Sequence, residues 1–394
     1  MFQEVMIVTN GNIASWAAAL IRDLLIDFRE RGCNSEVIDL STVETSQINV
    51  LLSLWNQNTP ERLLITLNAR LQFPKFMTDG SAYKVGWSHF CWLLDNPAHH
   101  YEGLKSLNED ALVGLVEQSH IKSMRALNLP HKCTLFSHRP DNFDKTPPVE
   151  RKRISKILIA GNANLLPSIK STKNKNPPDL HPFIDAAWRA AAEQAKVPAP
   201  TLSLFQRSCA DMGYEQAGLP RSTLASLLTV VEQLSNTLAR LRIVKLLIIN
   251  HKINLIGNFE GHGFEEAENV NYHGSTDYVT FEKTLQNTRV ALNLTPKFSQ
   301  GTTERVWSTL AAGAVPLTTS TSDLIPYKTA GILDTLDLNL NDDDLEYAIT
   351  EKLSNENIAR MVEARANQPL HALAALSRVD TLYRAFYPNT FDNN

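Results

Sequence analysis

The sequence predicts an α/β protein made of two doubly wound domains. In both halves of the chain, continuous apolar runs typical of strands buried on both faces alternate with segments of helical period. A polar, proline-containing segment at 138–153 interrupts this alternation, and a new apolar strand follows it at once. The length of 394 residues also suggests two or three domains.

The first predicted domain covers residues 1–150 and begins with a strand–helix–strand unit. "EVMIVT" is the first strand, apolar residues at helical spacing follow it up to Phe28, and "SEVIDL" is the second strand. Because a helix joins these strands, the sheet is predicted to be parallel. "RLLITLN" and "FCWLLDNP" are the third and fourth strands, and "SHIKSMRALNL" and "KCTLFSHRP" continue the alternation.

The second predicted domain covers residues 151–365 and opens with the strand "SKILIAGN". Residues 170–240 are predicted to be mostly helical, with a loop at "KSTKNKNPPD" (170–179). Further strands are predicted in "KLLIINHKINLIGN" (245–258), "NVNYHGS", "RVALNLT" and "AVPLTT". A helical tail follows, and residues 366–394 are assigned to a separate segment that packs on the first domain.

Composition narrows the class of protein. A hydrophobic fraction of 43% and a charged fraction of 20% are those of a soluble globular protein. The net charge of −4 argues against a nucleic-acid partner, and no apolar run is long enough to span a membrane. Without a secretory signal pattern, and with four scattered cysteines that favour neither a zinc site nor disulfides, we expect a cytoplasmic protein.

The stretch "GTTERVWSTLAAGAVPLTT" predicts a ligand-binding edge. Thr302 or Thr303 is a suitable N-cap, Glu304 adds negative charge to the first turn, and Gly313 ends the helix. The loop 296–303 therefore joins the carboxyl end of a strand to the amino end of a helix, where open α/β sheets bind ligands and phosphates. The small residues before Gly313 would let the helix end press against the sheet, although they also permit tight packing without any ligand.

Other motifs are weaker or missing. The run Asp342–Asp344 is either a metal-binding motif or, as we favour, the acidic amino end of a helix. The histidines His262 and His273 lack the spacing of a helical metal site, and structural roles are expected for both. The sequence has no G-x-S-x-G, P-loop or G-x-G-x-x-G motif, which argues against hydrolases, kinases and dehydrogenases.

The C-terminal half resembles the nucleotide-sugar-binding domain of bacterial GT-B glycosyltransferases of group 1, in particular the group that includes the spore-maturation protein CgeB. The resemblance is carried by "NVNYHGSTDYVTFEKTLQNTRVALNLT", "GTTERVWSTLAAGAVPLTT", "SDLIPY" and the tail from "DDDLEYAITEKL", with His371 and Arg378. In the N-terminal half, "WLLDNP" is similar to a short aromatic–aspartate–proline motif of these proteins.

The resemblance implies a GT-B fold, in which two Rossmann-like domains face each other across a cleft and the last helix crosses back to the first domain. It also implies that the donor binds the C-terminal domain. Gly301, Thr302 and Thr303 would cradle the diphosphate and Arg305 would neutralise its charge. The remaining implied donor residues lie near the same phosphates or near the nucleobase and ribose, and these are Gly161, Asn162, Tyr272, His273 and Gly274.

The chain departs from the family pattern at two positions. Ser308 and Gln300 stand where many retaining relatives have glutamates, one of which holds the ribose. Either Glu304 takes this role from a shifted register or the ribose is bound differently, so the retaining mechanism loses support.

For an inverting, metal-independent transfer, the helix dipole, Arg305 and Glu304 would act at the donor, and a general base would act at the acceptor. Asp95, which follows a buried strand in "FCWLLDNP", is the candidate base, although it could instead cap the turn with Asn96 and Pro97. His99 on the same loop could act as a base or as a phosphate partner. Asn10, Gly11 and Asn12, at the exit of the first strand, are expected on the acceptor side.

We therefore expect a glycosyltransferase that uses a nucleoside-diphosphate sugar, with a UDP-sugar as the favoured donor, and no resident cofactor or metal. The acceptor would be a glycan, a protein or a small molecule. Two alternatives stay open. One is a non-catalytic GT-B protein that binds or regulates a partner, and the other is an unrelated two-domain α/β enzyme such as an epimerase or a phosphorylase.

Overall fold

The computed structural model describes residues 2–11, 15–70, 86–139, 153, 155–165, 167–367 and 377–388. The chain divides into two compact units, one made of Met1–Asn142 and Ala375–Asn394 and the other of Phe143–Ala374. Each unit contains a six-stranded sheet whose neighbouring strands are all parallel. The predicted fold class of two α/β, Rossmann-like units is confirmed.

The first unit has its strands in the order β2-β1-β3-β4-β5-β6. Its strands are β1 (Glu4–Thr9), β2 (Asn34–Asp39), β3 (Thr59–Leu67), β4 (Trp87–Trp92), β5 (Leu112–Leu115) and β6 (Cys133–Leu135). Its helices are α1 (Ser15–Glu30), α2 (Thr45–Trp55), α3 (Tyr101–Lys105), α4 (Ser119–Ala126) and, at the end of the chain, α14 (Arg378–Phe386).

Helix α14 belongs to the first unit through polar and aromatic contacts. Arg378 Nη2 donates a hydrogen bond to Asp27 Oδ2 of α1 at 2.8 Å, and both side chains are buried. The ring of Tyr383 stacks on that of Phe2, with 5.4 Å between the ring centroids. The return of the last helix to the first unit, which the resemblance implies, is therefore present.

The second unit has its strands in the order β12-β11-β10-β7-β8-β9. Its strands are β7 (Ser155–Ala160), β8 (Ile253–Ile256), β9 (Val270–Gly274), β10 (Thr288–Asn293), β11 (Val315–Thr319) and β12 (Asp334–Leu336). Its helices are α5 (Ile169–Asn174), α6 (His181–Gln194), α7 (Thr201–Asp211), α8 (Arg221–Asn250), α9 (Tyr278–Gln286), α10 (Glu304–Ala311), α11 (Ile325–Thr329), α12 (Asp342–Lys352) and α13 (Asn355–Asn367).

This strand order creates a switch point between β7 and β10. From β7 the chain moves outward in one direction to β8 and β9, and it then returns to place β10, β11 and β12 on the other side. The connections of β7 and β10 therefore leave the carboxyl edge of the sheet in opposite directions, and the crevice between them is where open α/β sheets bind ligands.

Two local predictions are wrong. Residues 245–250 are the last turns of α8 and not part of a strand, since β8 begins only at Ile253; a short apolar run fits either a buried helix or a strand. The predicted loop at 170–179 contains most of α5, whose first turn is capped by the Ser168 hydroxyl accepting from the Ser171 amide at 3.1 Å. The short strands β5 and β12 are absent from the predicted elements, since four and three residues carry too little periodicity.

The small residues at the end of α10, Ala311 to Ala314, form a helix C-cap and contribute in part to packing on the sheet. Gly313 has φ +71° and its amide bonds to Leu310, while the amide of Ala314 bonds to Thr309, which is a Schellman ending. Ala312 packs against the core beside β7, but Ala311 is exposed. Only part of the small-residue run therefore serves close packing on the sheet.

The acidic run Asp342–Asp344 forms the first turn of α12, as the favoured interpretation predicts, and the capping side chain is Asn341. No helix in the described part of the chain is both long enough and apolar enough to cross a membrane.

Candidate functional site

An arginine bridges the two sides of the switch point in the second unit. Arg240 of α8 donates from Nη1 to the carbonyl oxygen of Asn162 at 2.5 Å and from Nη2 to that of Leu294 at 3.1 Å. Asn162 follows β7 and Leu294 follows β10. The guanidinium group is therefore fixed at the crevice where the two central strands end.

A second arginine reaches the same place from the first turn of α10. Arg305 Nη1 donates a hydrogen bond to the carbonyl oxygen of Ala160, the last residue of β7. A Cβ atom added to Gly161 would lie 2.7 Å from Arg305 Nη1 and 2.8 Å from Arg240 Nε. The two guanidinium groups therefore both pack on the open side of Gly161, which has φ +142°.

The electrostatics of this pair favour an anion. Burial, then the charge of Arg305, lowers the pKa of Arg240 to about 9, while the charge of Glu304 raises it. Glu304 Oε1 lies 3.7 Å from Arg305 Nε. Arg240 is still protonated at pH 7, so two cations and one carboxylate leave a net positive charge that an anion would stabilise.

Arg240 also has hydrogen-bonding capacity to spare. Its side chain is 7% exposed, and its buried Nε has no hydrogen-bond partner among the described residues. Since a buried N–H without a partner carries a desolvation cost, this atom suits a ligand that accepts a hydrogen bond.

The amino end of α10 adds helix-dipole and hydroxyl groups. Thr303 is the N-cap residue, but its side chain makes no capping hydrogen bond, and its buried Oγ1 has no partner in the described part of the chain. Thr302 is also buried. The preceding loop is held by the Asp323 amide, which donates to the Gln300 carbonyl at 3.0 Å.

The loops after β8 and β9 hold the loop after β7 from the other side. The Asn258 amide donates to Asn162 Oδ1 at 2.8 Å, and the Gly257 amide donates to the Gly274 carbonyl at 2.8 Å. Tyr272 supports the loop after β8, since its hydroxyl donates to the Gly257 carbonyl at 3.2 Å and accepts from the Phe259 amide at 3.2 Å.

The structure thus brings together several residues that the sequence singled out. Gly161, Asn162, Glu304 and Arg305 meet around Arg240, while Tyr272 and Gly274 brace the neighbouring loops. Ser308, which stands where the resemblance leads one to expect a glutamate, lies farther along α10, and its Oγ is 2.9 Å from the Tyr278 hydroxyl oxygen. Arg240 was missed by the sequence analysis, because it lies in the middle of a long helix where no local pattern marks it.

Asp95 and His99 lie in the first unit, on the loop that follows β4. The turn Pro97–His100 is capped by Asn96, whose Oδ1 accepts from the Ala98 amide at 3.0 Å. Asp95 and His99 are half-buried, and the rings of His99 and His100 have centroids 6.3 Å apart. Asn12 and His371 lie outside the described residues.

Three of the four cysteines are held as neutral thiols at neutral pH. Burial raises the pKa of Cys91, Cys133 and Cys209 to about 11, so these thiols stay protonated.

No family model matches the sequence, and the comparison with curated proteins gives no significant match. Solved structures do match over nearly the whole chain. An alpha-glucosyltransferase in complex with UDP and a 13-mer DNA containing a central A:G mismatch is 9% identical, with a TM-score of 0.55 over 99% of this chain and 100% of that chain. A sucrose-phosphate synthase from Thermosynechococcus elongatus is 9% identical, with a TM-score of 0.50 over 100% of both chains.

A third match is an alpha-glucosyltransferase in complex with UDP-glucose and DNA containing an abasic site, which is 9% identical with a TM-score of 0.50 over 99% of this chain and 98% of that chain. At this identity the likeness shows the fold alone. The chain therefore has the fold of these GT-B glycosyltransferases, and its chemistry has to be argued from its own residues.

Proposed function

We propose that this chain is a glycosyltransferase that transfers a sugar from a nucleoside-diphosphate donor bound to its second unit. The observation that carries the proposal is the pair of guanidinium groups from Arg240 and Arg305 packed on Gly161 at the switch point of the sheet. A diphosphate is the anion that this arrangement suits, since it accepts several hydrogen bonds and carries more than one negative charge.

The same groups would assist the chemistry. When the bond between the sugar and the diphosphate breaks, negative charge develops on the departing phosphate oxygen. Two fixed cations and the amino end of α10 would stabilise that charge without a metal ion. Because the arginines are already held by backbone carbonyls, they need little reorganisation as the charge develops.

The other donor residues have supporting parts in the proposal. The backbone of Gly301, Thr302 and Thr303 would cradle the diphosphate at the helix end, where N–H groups lack intrahelical acceptors. Tyr272 and Gly274 would lie near the nucleobase or ribose. Two of the solved neighbours are complexes with UDP or UDP-glucose, and this supports a UDP-sugar as the donor.

At the acceptor we propose Asp95 as the general base and His99 as an alternative base or a phosphate partner, with a glycan, a protein or a small molecule as acceptor. The net charge of −4 disfavours a nucleic-acid acceptor, whereas two of the solved neighbours named above are complexes with DNA. Asp95→Asn should remove transfer while leaving donor affinity unchanged, because the donor residues are carried by the second unit.

Calorimetric titration with UDP, GDP, CDP, dTDP and ADP, without metal and with Mg²⁺, tests the donor site. We expect one nucleotide to bind without metal and to bind at least tenfold more weakly to Arg240→Met and to Arg305→Met. Arg189→Met is the matched control, since Arg189 forms an exposed ion pair with Asp211 in the same unit. Equal affinity in all three variants, or no binding to the unaltered chain, would contradict the donor site.

A second candidate function is nucleotide-sugar binding without transfer. The Ser308 hydroxyl is engaged with Tyr278 at the position where many retaining relatives carry the glutamate that holds the ribose. Donor binding without release of free UDP from any UDP-sugar, with or without acceptor mixtures, would favour this alternative over catalysis.

A further inference from the structure

Helix α8 carries a stripe of residues that changes character along its length. Ile243, Val244 and Leu247 pack in the core against the sheet. One turn earlier, Arg240 lies at the carboxyl edge, where it binds the carbonyls that follow β7 and β10. Asn236 is four residues before Arg240 and therefore lies on the same face of the helix.

Asn236 lies beyond the end of the sheet. Helix α8 leads directly into β8, so it runs back along the sheet from the carboxyl edge toward the amino edge. At about 1.5 Å per residue, Asn236 lies about 6 Å past Arg240 on the ligand side of that edge. The residue that continues the sheet-facing stripe is thus placed above the switch point and not above the core.

The side chain of Asn236 is buried without being satisfied. It is 9% exposed, and its Oδ1 has no hydrogen-bond partner within the described part of the chain. On the same face, Arg240 Nε is also buried and also lacks a hydrogen-bond partner within the described part of the chain. One is an acceptor and the other a donor, and together they match a hydroxyl group, which both donates and accepts.

Other buried polar groups of α8 are paired, so this condition is not general to the helix. Glu232 Oε1 accepts from the Thr201 hydroxyl at 2.8 Å, and the Ser235 hydroxyl donates to Gln194 Oε1 at 2.7 Å. Gln194 Nε2 in turn donates to Thr201 Oγ1 at 3.0 Å. Helices α6 and α7 satisfy the polar groups that face them, whereas the pair at the edge of the sheet has atoms left over.

We infer that Asn236 is a donor-recognition residue whose Oδ1 accepts a hydrogen bond from a hydroxyl group of the nucleotide sugar, one helical turn from Arg240. This inference rests on the proposed donor site and adds a specificity-determining residue to it. The hydroxyl belongs either to the ribose or to the transferred sugar, and the two sources give different results in the test.

The test compares Asn236→Leu and Asn236→Ala with the unaltered full-length chain. Calorimetric titration uses UDP, 2′-deoxy-UDP and UDP-glucose, and the melting temperature of each free protein is measured alongside. Leu238→Ala is the control, because Leu238 is two residues from Asn236 on the helix, is exposed, and lies on the opposite face.

We expect the Asn236 variants to bind about tenfold more weakly, the effect of one lost hydrogen bond, without a fall in melting temperature. If the ribose is the source, UDP binding weakens but 2′-deoxy-UDP binding does not. If the transferred sugar is the source, only UDP-glucose binding weakens. A removed buried acceptor without a partner leaves the free protein no less stable.

Unchanged affinity for both UDP and UDP-glucose in the variants would overturn the inference while leaving the donor site standing. Weaker binding together with a lower melting temperature would also overturn it, since Asn236 would then stabilise the fold. If the unaltered chain bound none of the three nucleotides, the proposed function would fail together with the inference.

Discussion

Gly161→Ala should damage the second unit through two separable effects. The residue has φ +142°, a region in which an alanine side chain is strained at a cost of about 1–2 kcal/mol. The added Cβ would also lie 2.7 Å from Arg305 Nη1 and 2.8 Å from Arg240 Nε and Cζ. Arg305 can shift its end, but Arg240 is buried and doubly bonded to backbone carbonyls.

The expected size follows from those contacts. If Arg240 moves enough to lose one charged hydrogen bond, about 1.5–3 kcal/mol is added to the strain, for a total of roughly 2.5–5 kcal/mol. For a unit of this size, that corresponds to a fall of about 10 °C in melting temperature. Displaced guanidinium groups should also weaken UDP binding by about tenfold or more.

Scanning calorimetry and UDP titration measure both effects, and Gly213→Ala separates them. Gly213 has φ +78° in the same unit, and a Cβ there would meet nothing within 4 Å. It should therefore lower the melting temperature by only about 4 °C, the cost of the strain alone, and leave UDP affinity unchanged. Equal losses in the two variants, or normal UDP affinity in Gly161→Ala, would refute the reasoning.

Three further predictions concern charge. Burial, then the charge of His131, lowers the pKa of His89 to about 3. Below pH 6.5 the unfolded chain therefore binds more protons than the folded chain, and the free energy of unfolding should fall by about 1.4 kcal/mol per pH unit toward pH 3. Urea denaturation at pH 7 and pH 5 should show a smaller fall for His89→Gln than for the unaltered chain. Asp27→Ala removes the carboxylate that pairs with the buried Arg378, and it should lower the free energy of unfolding in denaturant by about 3–5 kcal/mol. A decrease of less than about 1 kcal/mol would be inconsistent with a buried ion pair. Because the pKa of Arg240 is about 9, UDP affinity should fall by up to about tenfold per pH unit above pH 9. Calorimetric titration from pH 7.5 to 10 measures this, and constant affinity over that range would argue against a cationic Arg240 in the site.

Much of the fold could be predicted because buried parallel strands are continuous apolar runs. "EVMIVT" and "SKILIAGN" became β1 and β7, and Gly313 ends α10 as its position in the sequence suggests. The failures are short or ambiguous segments. "KLLIIN" contains four consecutive apolar residues, which fit a strand as well as a helix, and only the structure shows that it continues α8.

The site was predictable only where it lies next to a recognisable strand end or helix start. Gly161, Asn162 and Arg305 meet these conditions, and all three were assigned by resemblance. Arg240 and Asn236 lie in the middle of a 30-residue helix, more than 70 residues from Gly161, so no local pattern marks them. Their importance appears only when the sheet order places β7 beside β10.

The most direct test of the central claim is hydrogen–deuterium exchange of the full chain with and without saturating UDP. We expect slower exchange in peptides that cover residues 160–163 and 299–306, because the diphosphate would engage the backbone at the start of α10 and beside Gly161. Slower exchange confined to the first unit, or no change in either segment while UDP is bound, would contradict a donor site at the switch point of the second unit.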